Sequence, residues 1–206
     1  YGYSSTDLYL RDVETRTADL RLLSAPEQGL LDGKVDWVLG LFVLNKEVDF
    51  IRDYTYAGGL FTSDFGADRV ALYGELATDL TSSWRVSLGL RAEQHESDYS
   101  DSADVQFAPD DDMTGGRLLV EHTLASGNLL YASLTRGYKA GGFNTDGSLD
   151  ADLRVFDPET LWNVEVGFKG SLMADRLVLS AALFRMQRRD VQVATCITRG
   201  RRDGAA

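Results

Sequence analysis

The sequence has 206 residues, of which 44% are hydrophobic, so it is long enough to bury a core of ordinary size. Its 32 acidic and 21 basic side chains give a formal net charge of -11, which argues against nucleic-acid binding because phosphates require a basic surface. The single cysteine, Cys196, excludes an internal disulfide and a cysteine-paired zinc site. No segment reaches the roughly 18 consecutive apolar residues of a membrane helix. This criterion does not detect membrane β-strands, in which apolar and polar residues alternate.

Apolar and polar residues alternate with a period of two along most of the chain, which predicts a succession of β-strands. In chain order, the pattern predicts strands at 15–24, 34–44, 68–80, 84–93, 114–125, 129–138, 163–169 and 177–193, whereas residues 3–11 show it only in part. The alternation is clearest in 84–93, where one face carries Val86, Leu88, Leu90 and Ala92 and the other Arg85, Ser87, Gly89, Arg91 and Glu93. We expect the apolar face to contact lipid and the polar face to line a lumen, where Arg85, Arg91, Glu93, Glu165 and Lys169 form ion pairs with one another or with a domain that fills the lumen.

Strand length and loop length both favour a membrane barrel over a soluble β-sandwich. Several predicted strands approach or exceed the ~9–11 residues that cross a bilayer, against a usual ~5–6 in soluble sheets. The connections alternate between short turns at 81–83, 126–128 and 173–176 and long polar links at about 46–67, 98–113 and 139–161, with 25–33 as an exception. Outer-membrane barrels sort their loops in this way. Trp84 and Trp162 begin strands at opposite rims, where interfacial aromatic residues lie.

Several segments, in this order and spacing, resemble TonB-dependent receptors, especially those for ferric siderophores. The longest are LYASLTRGYKAGGFN at 130–144 and FDPETLWNVEVGFK at 156–169. The shorter ones are DLRLLS at 19–24, VDWVLGLF at 35–42, VALYGE at 70–75, VSLGLRAE at 86–93, LFR at 183–185 and DVQV at 190–193.

The resemblance implies an all-β fold, a segment of an antiparallel transmembrane β-barrel with long extracellular loops and short periplasmic turns. Such a barrel has ~22 strands around a plug, so residues 1–193 would supply part of the barrel domain. We expect the plug domain and its TonB-contacting motif upstream, and the remaining strands downstream. Residues 194–206 depart from the family and read as an atypical tail, truncated or frame-shifted.

The implied function is TonB-dependent uptake of a scarce nutrient across the bacterial outer membrane, most often a ferric siderophore. The partners are then outer-membrane lipid, the plug, the remaining strands and the TonB energy-transducing complex. The ferric chelate is the transported ligand, and no resident cofactor is expected.

Residues 136–144 run from a strand into a long loop and are the candidate ligand-binding segment. Its charged, polar and aromatic side chains suit an anionic metal chelate. They are Arg136, Tyr138, Lys139, Phe143 and Asn144. The alternative is that this segment shapes the loop exit and packs on the plug. The acidic run at 110–112, with Asp101 and Asp104, lacks the spacing of a calcium loop, so we expect a solvated loop and no metal site.

The sequence gives no support for an enzyme. Its two histidines, His95 and His122, do not form a metal-binding pair, and no nucleophile–base motif accompanies them. Two alternatives to the receptor stay open at this stage. One is a passive porin or channel, and the other is a soluble β-sandwich for adhesion or carbohydrate binding.

Overall fold

The computed structural model describes residues 4–25, 27–145 and 153–193, and the atypical tail at 194–206 lies outside them. Most of the described chain is β-strand. The elements are β1 (Asp7–Leu23), α1 (Leu30–Gly33), β2 (Val35–Tyr54), β3 (Phe61–Asp79), β4 (Trp84–Asp101), β5 (Gln106–Phe107), β6 (Asp110–Thr123), β7 (Leu129–Lys139), β8 (Gly142–Phe143), β9 (Val155–Phe156), β10 (Glu159–Leu172) and β11 (Leu177–Arg189). α1 is a single turn in which Leu31 and Asp32 have positive φ angles.

The long strands form one antiparallel meander. Their order in the sheet is β1-β2-β3-β4-β6-β7-β10-β11, with the short β5 paired to β4. β8 and β9 make a separate two-stranded ribbon inside the link between β7 and β10. In the described part of the chain β1 and β11 each have one neighbour, so the sheet is open at both edges. The alternative of a soluble β-sandwich is therefore wrong, because among the residues described only the two-stranded β8–β9 ribbon lies outside the one large sheet.

The strands are longer than the sequence predicted. β1 joins the partial pattern at 3–11 and the predicted strand at 15–24 into one strand, Asp7–Leu23. β2 and β3 continue to a short link at 55–60, so most of the long link predicted at 46–67 is ladder. Alternation marks a strand only where one face is apolar. Beyond that zone the outer face is no longer apolar, and the backbone hydrogen bonds continue after the lipid-face pattern has stopped.

The links sort between the two ends of the sheet, as predicted. Residues 24–34, 80–83, 124–128 and 173–176 join strands at one end, which we call the short-turn rim. The other end, the long-loop rim, carries 55–60, 102–109 and 140–158. The longest of these links contains the β8–β9 ribbon.

The two faces of the sheet differ in an unusual way. Every buried residue in the long strands lies on one face, which we call the inner face, and several of these residues are polar or charged. The opposite, outer face carries large apolar side chains that are between 38% and 75% exposed. They are Leu20, Leu22, Leu39, Leu41, Val43, Val70, Leu72, Leu76, Leu88, Leu90, Leu118, Leu130, Leu134, Val164, Val166 and Leu183. A contiguous exposed apolar band of this kind is a surface for lipid rather than for water.

The apolar band ends abruptly toward the long-loop rim. On β2, β3, β4 and β6 the next outer-face positions are acidic or otherwise polar. The acidic ones are Glu47, Asp49, Asp64, Asp68, Glu96, Asp98, Asp110 and Asp112. This change marks where the outer face leaves the lipid. No helix in the described residues is long and apolar enough to cross a membrane.

Candidate functional site

Charged side chains gather around Glu93 on the inner face, in the half of β4 nearest the long-loop rim. Glu93 is only 6% exposed, and Arg91 donates hydrogen bonds to its Oε2 at 2.9 and 2.6 Å. Arg69 of β3 lies 3.9 Å from the other carboxylate oxygen. The Tyr138 hydroxyl of β7 donates to Glu93 at 3.0 Å and accepts from Arg91 Nε at 3.0 Å. Two guanidinium groups around one carboxylate leave this Glu93 cluster with a surplus positive charge, which favours an anion.

Tyr138 reaches this cluster by leaving the alternation of its strand. The ladder between β6 and β7 ends at the pair Gly116–Arg136, and strict alternation would place Tyr138 on the outer face beside Arg136. Its ring instead lies over Gly115, where an added Cβ would stand 2.9 Å from the ring Cε1. Burial raises the pKa of Tyr138, so its hydroxyl keeps its proton at neutral pH. The sequence predicted Tyr138 as a ligand contact, and the structure places it on the inner wall.

Arg91 is also held by aromatic rings. Its guanidinium carbon lies 5.3 Å from the ring centroid of Phe42 and 5.7 Å from that of Tyr73. The Tyr73 hydroxyl in turn donates to Asp19 of β1 at 2.7 Å. Contacts to two rings and one carboxylate fix the Arg91 side chain, so its charge is presented in a set position.

Inner-face tyrosines lie flat across glycines of neighbouring strands. Tyr73 covers Gly40 of β2, where an added Cβ would fall 2.1 Å from the ring. Tyr131 covers Gly167 of β10 in the same way, at 2.4 Å, and donates to Glu165 at 2.7 Å. A ring over a glycine shields backbone that no side chain covers. The inner wall is therefore smooth, and the hydroxyl groups of Tyr73 and Tyr131 are held in fixed positions on it.

His95 extends the Glu93 cluster toward the long-loop rim. It is buried, and Arg69 Nε donates to its Nδ1 at 3.3 Å. Burial, and then the charge of Arg69, lower the pKa of His95. A ring whose Nδ1 accepts a hydrogen bond from a guanidinium is neutral and carries its proton on Nε2. His95 thus orients Arg69 without adding positive charge.

Phe143, also predicted as a ligand contact, is the centre of an aromatic cluster above this wall. Its ring centroid lies 5.0 Å from Phe107, 5.2 Å from Tyr99 and 6.1 Å from Phe65. The Tyr99 hydroxyl donates to Asp101 at 2.9 Å, and burial followed by this hydrogen bond raises the pKa of Tyr99 to about 12. The cluster holds the β8–β9 ribbon against the inner face.

Hydrogen bonds tie the base of the same loop to strands on both sides. The Gly141 N–H donates to Asp111 of β6 at 2.9 Å. The Gln192 side chain donates to the Ala140 carbonyl at 2.7 Å. Glu159 is buried and accepts a hydrogen bond from Arg188, and this hydrogen bond holds the pKa of that carboxyl below its usual value. The loop therefore leaves β7 in a fixed direction.

The other predicted ligand residues occupy different surroundings. Lys139 is exposed at the end of β7, opposite Glu159. Asn144 follows β8, and its N–H donates to the Arg154 carbonyl at 2.7 Å. Arg136 lies on the outer face, where its guanidinium donates to the hydroxyl of Thr114 at 2.7 Å. The structure thus brings Tyr138 and Phe143 to the inner side, and it separates Arg136 from them by the thickness of the sheet.

Sequence reasoning missed part of this site. It placed Arg91 and Glu93 on the polar face, and their ion pair confirms that expectation. It did not single out Arg69, which lies between Asp68 and Val70 in the sequence. The signal that could have found it is the alternation of β3, which places Arg69 on the polar face.

The acidic run behaves differently from the solvated loop that was predicted. Residues 110–112 begin β6, and Asp101 accepts hydrogen bonds from the N–H groups of Ala103 and Val105. Within 4–25, 27–145 and 153–193, no group of three or more His, Cys, Asp or Glu side chains is placed to hold a metal ion.

His122, on the outer face, stacks on Trp84 with ring centroids 4.2 Å apart, and it is remote from His95.

Comparisons with known proteins agree with this architecture. Residues 2–204 match the family described as TonB dependent receptor-like, beta-barrel. The pesticin receptors of Yersinia enterocolitica and Yersinia pestis are each 27% identical to this chain over 169 residues, which is 77% of this chain and 25% of each relative. The chain thus spans about a quarter of the length of the curated relatives that it matches.

Solved structures show the same fold. The ferric yersiniabactin uptake receptor from Yersinia pestis superposes with a TM-score of 0.75 at 23% identity, covering 94% of this chain and 31% of that one. The alcaligin outer membrane receptor from Bordetella pertussis superposes with a TM-score of 0.65 at 16% identity, covering 89% of this chain and 30% of that one.

Proposed function

This chain belongs to the family of TonB-dependent receptor-like β-barrels, and on that premise we propose that it is a barrel segment of an outer-membrane receptor that imports a ferric siderophore. The family consists of receptors and transporters rather than enzymes, and its barrels lie in the bacterial outer membrane. The outer-face apolar band is the lipid-contacting surface of such a barrel. The observation that carries the choice of ligand is the Glu93 cluster, which offers surplus positive charge on the inner wall near the long-loop rim.

An anionic ferric chelate fits the chemistry of this wall. Arg69 and Arg91 supply charge and planar donors, and the Tyr138 hydroxyl supplies a donor and an acceptor. Receptors for ferric yersiniabactin and alcaligin share the fold, which makes ferric siderophores the first ligands to test. Lys139 and Asn144 flank the same entrance and complete the proposed contact set. Phe143 supports it by holding the loop in place.

We infer that the remaining partners are those of the family. A plug domain would fill the lumen against the polar inner face, and the TonB complex would supply energy through that plug. On the inner face near the short-turn rim, Arg85 already pairs with Asp36 at 3.0 Å and Asp79 at 3.1 Å. Two carboxylates around one guanidinium leave that end of the wall without surplus positive charge, so an anionic ligand is drawn to the other end.

The test is uptake of radioactive iron as ferric yersiniabactin by cells whose only siderophore receptor is the full-length protein that carries this chain. We expect uptake to require TonB, since a passive porin would import the chelate equally without it. Ferric alcaligin serves as the second probe. If neither chelate enters in a TonB-dependent manner and neither binds the purified receptor, the proposal is wrong.

Substitutions on the inner wall locate the ligand. Arg69→Gln with Arg91→Gln should weaken binding of the transported chelate by about tenfold or more, because charged hydrogen bonds are lost. Arg85→Gln is the matched control, an inner-face arginine near the opposite rim, and it should leave binding unchanged. Arg91→Lys, which keeps the charge, shows whether the effect is electrostatic. Heat-dependent gel mobility verifies that each variant has folded.

A further inference from the structure

His95 is a buried titratable ring that lies between two charged groups on the inner face. Register pairs it with Arg69 of β3 on one side and with Asp111 of β6 on the other. Arg69 Nε donates to His95 Nδ1 at 3.3 Å, and the Arg69 guanidinium also lies 3.9 Å from the Glu93 carboxylate. Asp111 is held in place by the N–H of Gly141, which donates to it at 2.9 Å. His95 thus joins the Glu93 cluster to a fixed carboxylate.

The hydrogen bond from Arg69 and a proton on His95 Nδ1 exclude each other. A neutral imidazole accepts a hydrogen bond at one ring nitrogen, whereas a protonated imidazole carries an N–H at both nitrogens and accepts at neither. Protonation of Nδ1 sets two N–H groups and two positive charges against each other, so the guanidinium must turn away. The Arg69 side chain is 40% exposed and therefore has room to turn into the lumen.

The groups around His95 act on its proton in opposite directions. Burial, followed by the charge of Arg69, lowers the pKa of His95 below the ordinary 6.5, so the ring is neutral at neutral pH. Three groups favour the proton, namely the backbone carbonyl of Asp68 and the carboxylates of Asp111 and Glu93. Arg69 is the opposing group that can move, because burial by the sheet is fixed. Once Arg69 turns away, the two carboxylates remain to stabilise a protonated ring.

On these grounds we propose that His95 is a proton-operated switch of the Glu93 cluster: a proton on His95 releases Arg69 toward the lumen, and an anion bound there draws a proton onto His95. The inference rests on the function proposed above, in which the anion is the chelate. A bound anion attracts the Arg69 guanidinium away from Nδ1, and it also stabilises the charge of a protonated imidazole. Both effects have the same sign, so acid strengthens anion binding by the factor by which the anion favours the proton.

The direction of the pH dependence follows from this linkage. Anion binding raises the pKa of His95, which is lowered in the free receptor. The gain in affinity therefore begins as pH falls through the pKa of the bound receptor. It is complete below the pKa of the free receptor, where both forms carry the proton.

The first test needs no siderophore. The full-length receptor that carries this chain, with nitrogen-15 in its histidine and arginine side chains, is followed by magnetic resonance from about pH 8 to about pH 5. We expect the His95 ring and the Arg69 Nε–H to shift together, and His95→Gln to remove both shifts. His122→Gln is the matched control, because the other histidine of the sequence stacks on Trp84 on the outer face and should leave both shifts in place. Protonation of His95 that leaves the Arg69 resonance unchanged overturns the proposal.

The second test measures binding of ferric yersiniabactin to the same receptor at about pH 7.5 and about pH 5.5. Acid should tighten binding about fivefold more in the wild type than in His95→Gln. Glutamine keeps an acceptor for Arg69 but takes up no proton, and any titration of the chelate itself cancels in this comparison. Should His95→Gln not fold, His95→Asn makes the same comparison.

The two tests separate failure of the switch from failure of the proposed function. An equal pH dependence of binding in the wild type and in His95→Gln overturns the switch, and it leaves uptake of the chelate standing. If ferric yersiniabactin binds at neither pH, that ligand is wrong. Joint shifts of His95 and Arg69 in the magnetic-resonance titration would then still support the switch, and independent shifts would overturn it.

Discussion

A single arginine placed in the outer-face band would test the lipid-facing assignment directly. On β4 the band runs from Trp84 to Gln94, ten residue steps along the strand. At about 3.3 Å per residue and a tilt of about 40°, this distance projects to ~25 Å, the height of the apolar zone of an outer-membrane barrel. Its midpoint is residue 89. The exposed side chain of Leu88 therefore lies close to the bilayer midplane.

We predict that Leu88→Arg lowers the free energy of unfolding by ~2–4 kcal/mol in lipid, the cost of an arginine at the midplane. Gln94→Arg is the matched control on the same face of the same strand. It lies where the band ends and should cost only ~0–1 kcal/mol. The assay is reversible guanidinium unfolding of the full-length barrel in phospholipid vesicles. Equal costs at the two positions would refute the assignment, and a tolerated Leu88→Arg would mean that this face contacts water.

Three further predictions concern the inner wall and its loop. Gly167→Val places a Cβ within 2.4 Å of the Tyr131 ring, so the free energy of unfolding should fall by ~1–3 kcal/mol, and adding Tyr131→Ala to the same chain should restore part of it. An unchanged free energy of unfolding in vesicles would contradict the ring-over-glycine arrangement. Phe143→Ala removes three aromatic contacts, so amide hydrogen exchange should accelerate across 141–145. Leu153→Ala is the control at an exposed position of the same loop, and it should not accelerate this exchange. Tyr99 has a raised pKa of about 12 against an ordinary 10.0, so its contribution to stability is complete below pH 10 and is lost as pH rises toward 12. In an ultraviolet titration, Tyr99→Phe should lack one phenol that ionises late in the wild type. An unchanged titration would contradict the burial of Tyr99.

The sequence predicted the membrane-spanning parts of the strands well because the lipid imposes alternation there. Val86, Leu88 and Leu90 were assigned to the lipid face, and the structure confirms this face, on which Leu88 lies between Leu76 of β3 and Leu118 of β6. The short turn before Trp84 was equally visible. Where β2 continues from Asn45 to Tyr54, the outer face becomes acidic at Glu47 and Asp49, while the apolar Val48 and Phe50 lie on the inner face. The lipid-face pattern therefore stops at Asn45, and the rest of the strand was mistaken for a loop.

The side-chain arrangement of the site was largely beyond the sequence. Alternation gives each residue a face, but it does not give the register between strands. The meeting of Arg69, Glu93 and Tyr138 depends on that register across β3, β4, β6 and β7. Arg136 and Tyr138 are two residues apart, and a simple alternation puts both on one face. Their separation to opposite sides arises because the β6–β7 ladder ends at Arg136 and Gly115 leaves space for the tyrosine ring.

The amino-acid sequence by itself determined the all-β class, the lipid-facing and lumen-facing positions, the sorting of turns and loops, and the family. These follow from local chemistry, since period-two hydrophobicity and turn residues act over a few positions. Only the tertiary structure decided which inner-face charges meet and which aromatic rings Phe143 contacts. Those properties depend on the pairing of strands far apart in the chain, and the backbone hydrogen bonds that set this pairing are the same for every residue type.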